Sequence, residues 1–151
     1  MITYSVETDW PAFRRDIEPL LELHWREIAL DHTSIKLNPD WDEYARMDKA
    51  GMLHLVAVRN DGLLVGYFIG IVRPHLHYKD SLTSFCDVVF IKPEYRQGMV
   101  GVKLFKAVTN SLKERGVQKV YLNTKAHHDF GVVLERLDYR KTETIYTKVV
   151  N

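Results

Sequence analysis

Cysteine is nearly absent from this chain, and so are long hydrophobic runs. The 151 residues include one cysteine, Cys86, so no internal disulfide can form, which is typical of a reducing compartment. We expect Cys86 to be a buried, inert thiol, since a reactive one needs an electropositive setting. No segment resembles a membrane span, a secretion signal or a lipidation site. We therefore expect a cytoplasmic protein with no membrane partner.

The chain also lacks an excess of charge of either sign. Its formal net charge is +1, so no strong field favours nucleic acid, whose binding depends on phosphate neutralisation. Nucleic acid is therefore not an expected partner, although a local basic patch stays open. The 46% hydrophobic and 27% charged residues are typical of a soluble globular protein. The length predicts one domain over residues 1–151.

Apolar periodicity predicts alternating strands and helices along the whole chain. The predicted strands are 2–7, 53–59, 63–72, 87–91, 118–124 and 143–150, and the predicted helices are 9–28, 40–50, a helix that Gly116 ends, and 129–137. Pro19 should kink or split the first helix because its ring clashes with the preceding turn. Residues 73–84 should be a polar connection, and Asn60-Asp61-Gly62 predicts a hairpin turn. This order predicts a mixed α/β fold with a central sheet and helices on both faces.

The segment from Asp87 to Lys106 predicts a strand, a tight turn and a helix. Pro93 ends the strand because proline has no N–H to donate to a sheet. The glycine-containing turn Arg96–Gly101 then opens the helix. Free backbone N–H groups at the positive end of a helix dipole suit a phosphate or diphosphate. An ordinary strand-to-helix turn is the alternative interpretation.

The segment Ile91-Lys-Pro-Glu-Tyr-Arg96-Gln-Gly-Met-Val-Gly101 resembles motif A of the GNAT superfamily of N-acetyltransferases. Arg96 and Gly101 occupy family positions, but Met99 replaces the first family glycine and Gly98 stands one place earlier. The order of elements and the segment 133–139 also resemble the family. The resemblance implies an α/β (mixed α+β) GNAT-like fold, with a central, mostly antiparallel sheet whose fourth and fifth strands splay apart.

The resemblance further implies that acetyl-CoA is the acyl donor and that an amine is the acceptor. It implies cofactor-binding roles for residues of the fourth strand and the following turn: Val89, Phe90, Ile91, Arg96, Gln97, Gly98, Met99, Val100, Gly101 and Val102. In the family, the strand residues pair with the pantetheine arm and the turn binds the pyrophosphate. The backbone amides beside the thioester would serve as an oxyanion hole.

Asp87 is the first candidate for the general base that deprotonates the amine. It is an acidic residue in an otherwise apolar strand, and it stands four residues before Ile91, which predicts that both share one face. A solvated or paired aspartate at a strand end is the alternative.

The usual general acid of the family is missing, since the resemblance puts Leu134 at the position of its tyrosine. His127 or His128 in the loop after the fifth strand is a candidate replacement, and Tyr146 is another. Roles in a loop, a helix cap or the core are their alternatives.

Glu27, His77 and Tyr78 are candidate acceptor-binding residues on the substrate side. His75 and His77 have no third ligand in obvious register, so no metal is expected.

Two functions compete. The first is an N-acetyltransferase in which a primary amine of a small molecule or protein attacks acetyl-CoA directly. The second is a catalytically weak, GNAT-shaped binding or inhibitory module that binds CoA or a protein partner, which Met99 and Leu134 favour. The sequence does not decide between a monomer and a homodimer. Short strings at 77–81, 124–130 and 146–148 resemble small acetyltransferases of phages and prophages.

Overall fold

The computed structural model describes residues 1–151 and contains five strands and four α-helices. In chain order these are β1 (Ile2–Glu7), α1 (Trp10–Ile28), α2 (Trp41–Lys49), β2 (Leu53–Asn60), β3 (Leu63–His75), β4 (Tyr78–Ile91), α3 (Val100–Glu114), β5 (Lys119–Tyr121) and α4 (Gly131–Arg136). A single 3-10 turn, Pro93–Tyr95, joins β4 to the segment that opens α3.

The five strands form one sheet in the order β1-β2-β3-β4-β5. The first four strands are antiparallel to one another, and β5 runs parallel to β4. The predicted hairpin turn joins β2 to β3, where Asp61 and Gly62 have φ of 49° and 88°. Positive φ at both central residues gives the twist that two antiparallel strands need. The predicted mixed α/β fold with a mostly antiparallel sheet is confirmed.

Helices cover both faces of the sheet. Phe13 and Ile17 of α1 pack with Tyr67 of β3 on one face, which α2 also covers. Leu104 and Val108 of α3 pack on the other face. The central strands are thus buried from both sides, which explains their nearly continuous apolar sequence. No helix of this fold combines the length and the apolarity that a bilayer crossing requires.

Pro19 was predicted to kink or split the first helix, and the split is wrong. Residues Trp10–Ile28 form one helix with Pro19 inside it. Pro19 faces solvent, whereas Ile17, Leu20 and His24 are buried on the inner face. Packing of that inner face stabilises the helix although Pro19 has no N–H to donate to the Arg15 carbonyl. Arg15 lies on the exposed side of the helix.

The predicted polar connection over residues 73–84 is also wrong, because these residues extend β3 and β4 into a long hairpin. Pro74 lies beside a register irregularity near the tip, between Pro74 and His75. Because the pairing of β3 with β4 is already irregular there, the missing N–H of Pro74 removes few hydrogen bonds from the sheet.

The last two predicted strands differ most from the structure. β5 covers only Lys119–Tyr121 rather than 118–124. The strand predicted over residues 143–150 is absent, since no element follows α4. A strand-forming sequence needs a partner strand, and within this chain residues 143–150 have none.

Candidate functional site

A β-bulge shapes the centre of β4. Ile69 of β3 is opposite Val88, but Gly70 is opposite Cys86, so Asp87 is an extra residue in β4. A bulge reverses the alternation of side chains beyond it. Asp87 therefore points to the face covered by α2, whereas Ile91 packs on the α3 face. The prediction that Asp87 and Ile91 share a face is wrong for this reason.

A cleft opens where β4 and β5 separate. Their pairing ends at Phe85 and Tyr121, and beyond this point the outer edge of β4 has no partner strand. The cleft has a volume of about 220 Å³. Its lining residues are His24, Glu27, Ile28, Cys86, Asp87, Val88, Val89, Phe90, Ile91, Arg96, Gly101, Phe105, Asn123, Thr124, Lys125, His128, Phe130 and Val133.

One end of the cleft meets a run of unpaired backbone amides, residues 97–102, which we call the amide turn. Helix α3 begins at Val100, and its first intrahelical donor is the N–H of Lys103, which bonds to the Met99 carbonyl at 2.9 Å. No N–H from Gln97 to Val102 donates to a protein acceptor. Six consecutive free donors at a helix start suit a phosphate or diphosphate.

Two glycines shape the amide turn. Gly98 has φ of +70°, a conformation that residues with a side chain rarely adopt. A Cβ added at Gly101 would have only the Ile91 side chain nearby, at 3.9 Å, so the space beside that backbone is open to the cleft. The amide turn and the unpaired edge of β4 together fit a ligand with a diphosphate and an extended amide-containing arm.

Arg96 binds the amide turn to the rest of the site. Its Nε donates to the Ile91 carbonyl at 2.7 Å, and its Nη2 donates to Glu27 Oε2 at 2.6 Å. Both side chains are largely shielded, with 29% and 21% exposed. The guanidinium therefore links the end of β4, the turn and the C-terminal end of α1.

Asp87 lies half-buried in the cleft beside Tyr44 of α2, whose hydroxyl donates to its carboxylate. Burial raises the pKa of Asp87, and the hydrogen bond from Tyr44 opposes part of that rise. Burial first and then the contact with Asp87 raise the pKa of Tyr44, so this phenol keeps its proton at neutral pH. Asp87 is thus a carboxylate with a raised proton affinity, and the Tyr44 hydroxyl donates a hydrogen bond that fixes its orientation.

His24 and Tyr67 form a second buried pair beneath the cleft. His24 Nδ1 and the Tyr67 hydroxyl share a hydrogen bond of 3.1 Å, and the imidazole stacks on Phe90 with centroids 4.9 Å apart. Burial lowers the pKa of His24 to about 4 and raises the pKa of Tyr67. Both groups are therefore neutral at pH 7, and they support the β4 wall of the cleft.

The loop after β5 forms the opposite wall. Thr124 Oγ1 donates to the His128 carbonyl at 3.1 Å and accepts from the Phe130 N–H at 3.0 Å, which fixes the loop. His128 lines the cleft, with its Nε2 3.9 Å from Glu27 Oε2. His127 turns away and contacts the Glu27 backbone carbonyl at 3.1 Å.

The structure brings most of the predicted site residues together. Asp87, Val89, Phe90, Ile91, Arg96, Gly101, His128 and Glu27 line the cleft. Gln97, Gly98, Met99, Val100 and Val102 belong to the amide turn at its end. Three others lie elsewhere: His77 and Tyr78 are at the tip of the β3–β4 hairpin, and Tyr146 is 91% exposed near the C-terminus.

The histidines of the hairpin tip are held by local contacts. His75 Nδ1 accepts the His77 N–H at 3.0 Å, and the two rings lie 5.5 Å apart. No group of three or more His, Cys, Asp or Glu side chains in the chain could hold a metal ion.

Sequence reasoning missed several residues of the cleft. Tyr44 and Tyr67 reach Asp87 and His24 through contacts between elements far apart in the chain, for which no local pattern exists. Asn123, Thr124 and Lys125 line the wall after β5, where a longer strand was predicted. Cys86 also lines the cleft, but burial and the neighbouring Asp87 raise the pKa of its thiol to about 12. It is therefore protonated and unreactive.

Comparisons with known proteins agree with this geometry. The family model described as "Acetyltransferase (GNAT) family" matches residues 11–131. No curated protein sequence matches the chain. Among solved structures, a ribosomal-protein-alanine N-acetyltransferase from Brucella melitensis biovar Abortus 2308 is 18% identical, with a TM-score of 0.71 and full coverage of both chains.

Two further structures share the fold. An aminoglycoside acetyltransferase, meta-AAC0020, from an uncultured soil metagenomic sample in complex with sisomicin is 14% identical, with a TM-score of 0.71 over 100% of this chain and 96% of that one. A predicted acetyltransferase with acetyl-CoA from Clostridium acetobutylicum is 15% identical, with a TM-score of 0.66 over 99% and 96%. At these identities the likeness concerns the fold alone. With the family model matching most of its length, the chain belongs to the acetyltransferase (GNAT) family.

Proposed function

We propose that this protein is an N-acetyltransferase that moves an acetyl group from acetyl-CoA to a primary amine of a small molecule or a protein. The observation that carries this proposal is the amide turn at one end of the cleft, continuous with the unpaired edge of β4. Membership of the acetyltransferase family supports the reaction class.

The amide turn and the unpaired edge of β4 each have backbone groups without a protein partner, and these groups suggest which part of acetyl-CoA each would bind. The N–H groups of the amide turn would bind the pyrophosphate, and the helix dipole of α3 adds to their positive field. The edge at Val89, Phe90 and Ile91 would pair with the pantetheine arm as a strand does. The hydrogen bond from Arg96 to the Ile91 carbonyl holds these two parts in fixed relation, and the ion pair with Glu27 ties them to α1.

Bound acetyl-CoA would supply the thioester that is the acyl donor. Asp87 accepts the proton that the acceptor ammonium must lose before attack. Its raised pKa brings its proton affinity nearer to neutral pH, which favours a general base. Tyr44 holds the carboxylate in one orientation. Free amides at the unpaired edge of β4 would serve as an oxyanion hole for the bound thioester.

His128 is the proposed proton donor for the departing thiolate, because it lines the cleft on the wall opposite β4. Glu27, also in the cleft, is proposed to attract a cationic amine. His77, Tyr78 and Tyr146 lie outside the cleft, and their roles in substrate binding and catalysis stay predictions. The cytoplasmic location, the phage-like origin and the assignment of residues 1–151 to one domain are also predictions.

The acceptor class is open between small molecules and proteins. One structure with the same fold is a ribosomal-protein-alanine N-acetyltransferase, and another is an aminoglycoside acetyltransferase in complex with sisomicin. Both acceptor types carry primary amines, so a peptide with N-terminal alanine and an aminoglycoside are reasonable first acceptors to test.

Isothermal titration calorimetry with acetyl-CoA tests the binding half of this proposal. We expect saturable binding and an increase in melting temperature, since a ligand that binds only the folded state stabilises it. Acetate and free pantetheine, which lack the pyrophosphate, are controls. An absence of both heat and thermal shift at millimolar acetyl-CoA would contradict the proposal.

A binding or inhibitory module is the second candidate, and one observation favours it. Leu134 is 7% exposed within the core, so α4 offers no hydroxyl at the position where relatives are expected to carry their tyrosine. Release of free CoA in the presence of an amine panel separates the candidates. Acetyl-CoA binding without any amine-dependent CoA release would favour the module.

A further inference from the structure

Four aromatic rings form a row on the sheet at the closed end of the cleft, where β4 and β5 still pair. Phe85 of β4 stacks on Tyr121 of β5, with ring centroids 4.5 Å apart and an angle of 12° between the planes. His75 lies 6.2 Å from the Phe85 ring and 5.1 Å from the Tyr78 ring. We call Tyr78, His75, Phe85 and Tyr121 the aromatic row. The reaction steps proposed above give Phe85 and Tyr121 no role.

The aromatic row lies on the same face of the sheet as the proposed base. Cys86 packs on the α3 face, so the side chain of its neighbour Phe85 points to the opposite face. Asp87, on the other side of Cys86, also points there, because it contacts Tyr44 of α2. Two residues of a strand rise by roughly 6.6 Å. The Phe85 ring is therefore the next side chain along β4 on the face that carries the carboxylate.

The aromatic row is also uncovered. Tyr121 lies between Val120 and Leu122, which both pack on the α3 face, so its ring is on the α2 face with Phe85. No ring of α1 or α2 contacts the row. Phe85 is 37% exposed and Tyr78 is 66% exposed. Open aromatic surface beside a buried carboxylate is typical of a binding site for a small organic group.

The proposed cofactor position leaves the aromatic row to the acceptor. The amide turn follows the end of β4, so a diphosphate bound there directs the pantetheine arm back along the free edge, from Ile91 towards Phe85. The thioester therefore reaches Asp87 from the Ile91 side. The side of Asp87 that the arm does not occupy is the side of Phe85 and the aromatic row.

We propose that the acceptor is an arylalkylamine, a primary amine joined to an aromatic ring by a short aliphatic linker, and that the aromatic row binds its ring. This inference rests on the proposed function. The ammonium group lies beside Asp87, whose carboxylate complements its charge. The short rise from Asp87 to Phe85 limits the linker to about two carbon atoms.

The stacking of Phe85 on Tyr121 determines how the acceptor ring packs. Because these two rings lie face to face, the surface they present to a third ring is made of their edges. An edge-to-face contact is a favoured arrangement of aromatic rings, since the positive edge of one ring meets the negative face of the other. A saturated ring of similar size lacks this quadrupole, so the row should distinguish the two.

A pair of amines that differ in the ring alone tests this inference. The probes are 2-phenylethylamine and 2-cyclohexylethylamine, both cations at neutral pH, with acetyl transfer measured as CoA release. We expect kcat/KM to be about twofold to tenfold higher for the phenyl compound, which is the contribution of an aromatic pair beyond its apolar area.

A peptide arm distinguishes two sources of the same chemistry. A peptide that begins with phenylalanine also has two carbon atoms between its amine and its ring, so Phe-Gly-Gly is compared with Leu-Gly-Gly. A preference for the phenyl ring in the free amines alone identifies a small-molecule acceptor. A preference in the peptides alone identifies a peptide N-terminus, and either result supports the aromatic row as the acceptor site.

The variant Phe85→Leu should abolish the preference, because it keeps an apolar side chain and removes the ring. Leu76→Ala, 83% exposed at the tip of the same hairpin and outside the row, is the matched control and should keep the preference. The affinity for acetyl-CoA should be unchanged in both variants. Calorimetry of each amine with the protein and bound CoA measures the same preference without turnover.

Failure of this inference is distinguishable from failure of the proposed function. Equal kcat/KM for the phenyl and saturated acceptors in both arms, or a preference that persists in Phe85→Leu, would overturn the aromatic row as the acceptor site while acetyl transfer itself stands. Binding of acetyl-CoA with no CoA release and no heat from any of the four acceptors would overturn both.

Discussion

At the scale of single residues, Asp87 combines burial, a fixed donor and a position at a bulge. A bulge lets one side chain leave the regular alternation of β4 and reach the cleft from the α2 side. Burial raises its pKa, and Tyr44 supplies the one hydrogen bond that stabilises its charged form. Substituting Asp87 and substituting Tyr44 should therefore have different kinetic effects.

Replacing Asp87 with Asn should reduce kcat by about 10²–10⁴, since it removes the proposed proton acceptor while preserving shape. The affinity for acetyl-CoA should change little, because Asp87 is not part of the amide turn. Steady-state kinetics and calorimetry measure the two effects. Asp80→Asn, an exposed carboxylate on the same strand, is the matched control. If the kcat of the Asp87→Asn variant were within tenfold of the kcat of the unmodified protein, Asp87 would be excluded as the general base.

Replacing Tyr44 with Phe should move the acid limb of kcat/KM to higher pH. The reason is that the hydroxyl lowers the pKa of Asp87, so its loss leaves burial unopposed and the carboxylate protonates sooner as the pH falls. The pH profile of kcat/KM is the measurement. Tyr4→Phe on β1, far from the cleft, should leave the profile unchanged. A shift to lower pH would contradict this assignment.

At the scale of elements, the site is made by the ends of β4 and α3 rather than by their middles. Strand β4 loses its β5 neighbour after Phe85, and α3 begins without a side-chain cap at Met99. Both features leave backbone groups without protein partners next to one cleft. Such groups are costly to bury and are therefore a good indication of where a ligand binds.

Replacing Gly98 with Ala tests the amide turn. Gly98 has φ of +70° with no atom within 4 Å of an added Cβ, so the substitution strains only the backbone, by about 1–2 kcal/mol. Relief of this strain would reorient the N–H groups that follow, and we expect weaker binding of acetyl-CoA. Gly51, also with φ of +70° and no atom within 4 Å, is a matched position outside the site.

The two glycine variants should lose similar stability, measured as the melting temperature, but only Gly98→Ala should raise the dissociation constant of acetyl-CoA by calorimetry. Equal effects of both variants on binding would show that general destabilisation, rather than the shape of the amide turn, determines affinity.

At the scale of the whole molecule, two buried histidines make the fold sensitive to acid. His24 is 5% exposed and His54 is 4% exposed, and burial lowers the pKa of each to about 4. The unfolded chain, with ordinary histidine pKa values near 6.5, binds more protons than the folded chain between pH 6.5 and 4. The stability that neutral histidines allow is therefore complete above about pH 6.5 and is lost as the pH falls towards 4.

The free energy of unfolding should thus fall between pH 6 and 4.5, by up to about 1.4 kcal/mol per pH unit for each histidine. Urea denaturation at several pH values measures this slope. The double variant His24→Gln/His54→Gln should flatten it, whereas His32→Gln, at an exposed position, should not. An unchanged slope in the double variant would assign the acid sensitivity to other groups.

Local patterns predicted much of the fold and part of the site. The helix at Trp41–Lys49, the turn at Asp61-Gly62 and the segment from β4 to α3 depend on capping, turn chemistry and apolar spacing, all of which act within a few residues. The predictions failed where packing outweighed a local preference. Pro19 remains inside one helix because its inner face is buried, and Pro74 remains in a strand because it lies near a hairpin tip.

Local sequence patterns were enough to predict the family resemblance, the place of the amide turn and the presence of a carboxylate in the fourth strand. Three features became visible only in the folded chain: Asp87 faces Tyr44, Arg96 pairs with Glu27, and residues 143–150 form no strand. Backbone turns and caps are local, so their residues predict them. Strand register, the bulge and contacts between distant elements depend on how whole surfaces pack, and no short run of residues contains that information.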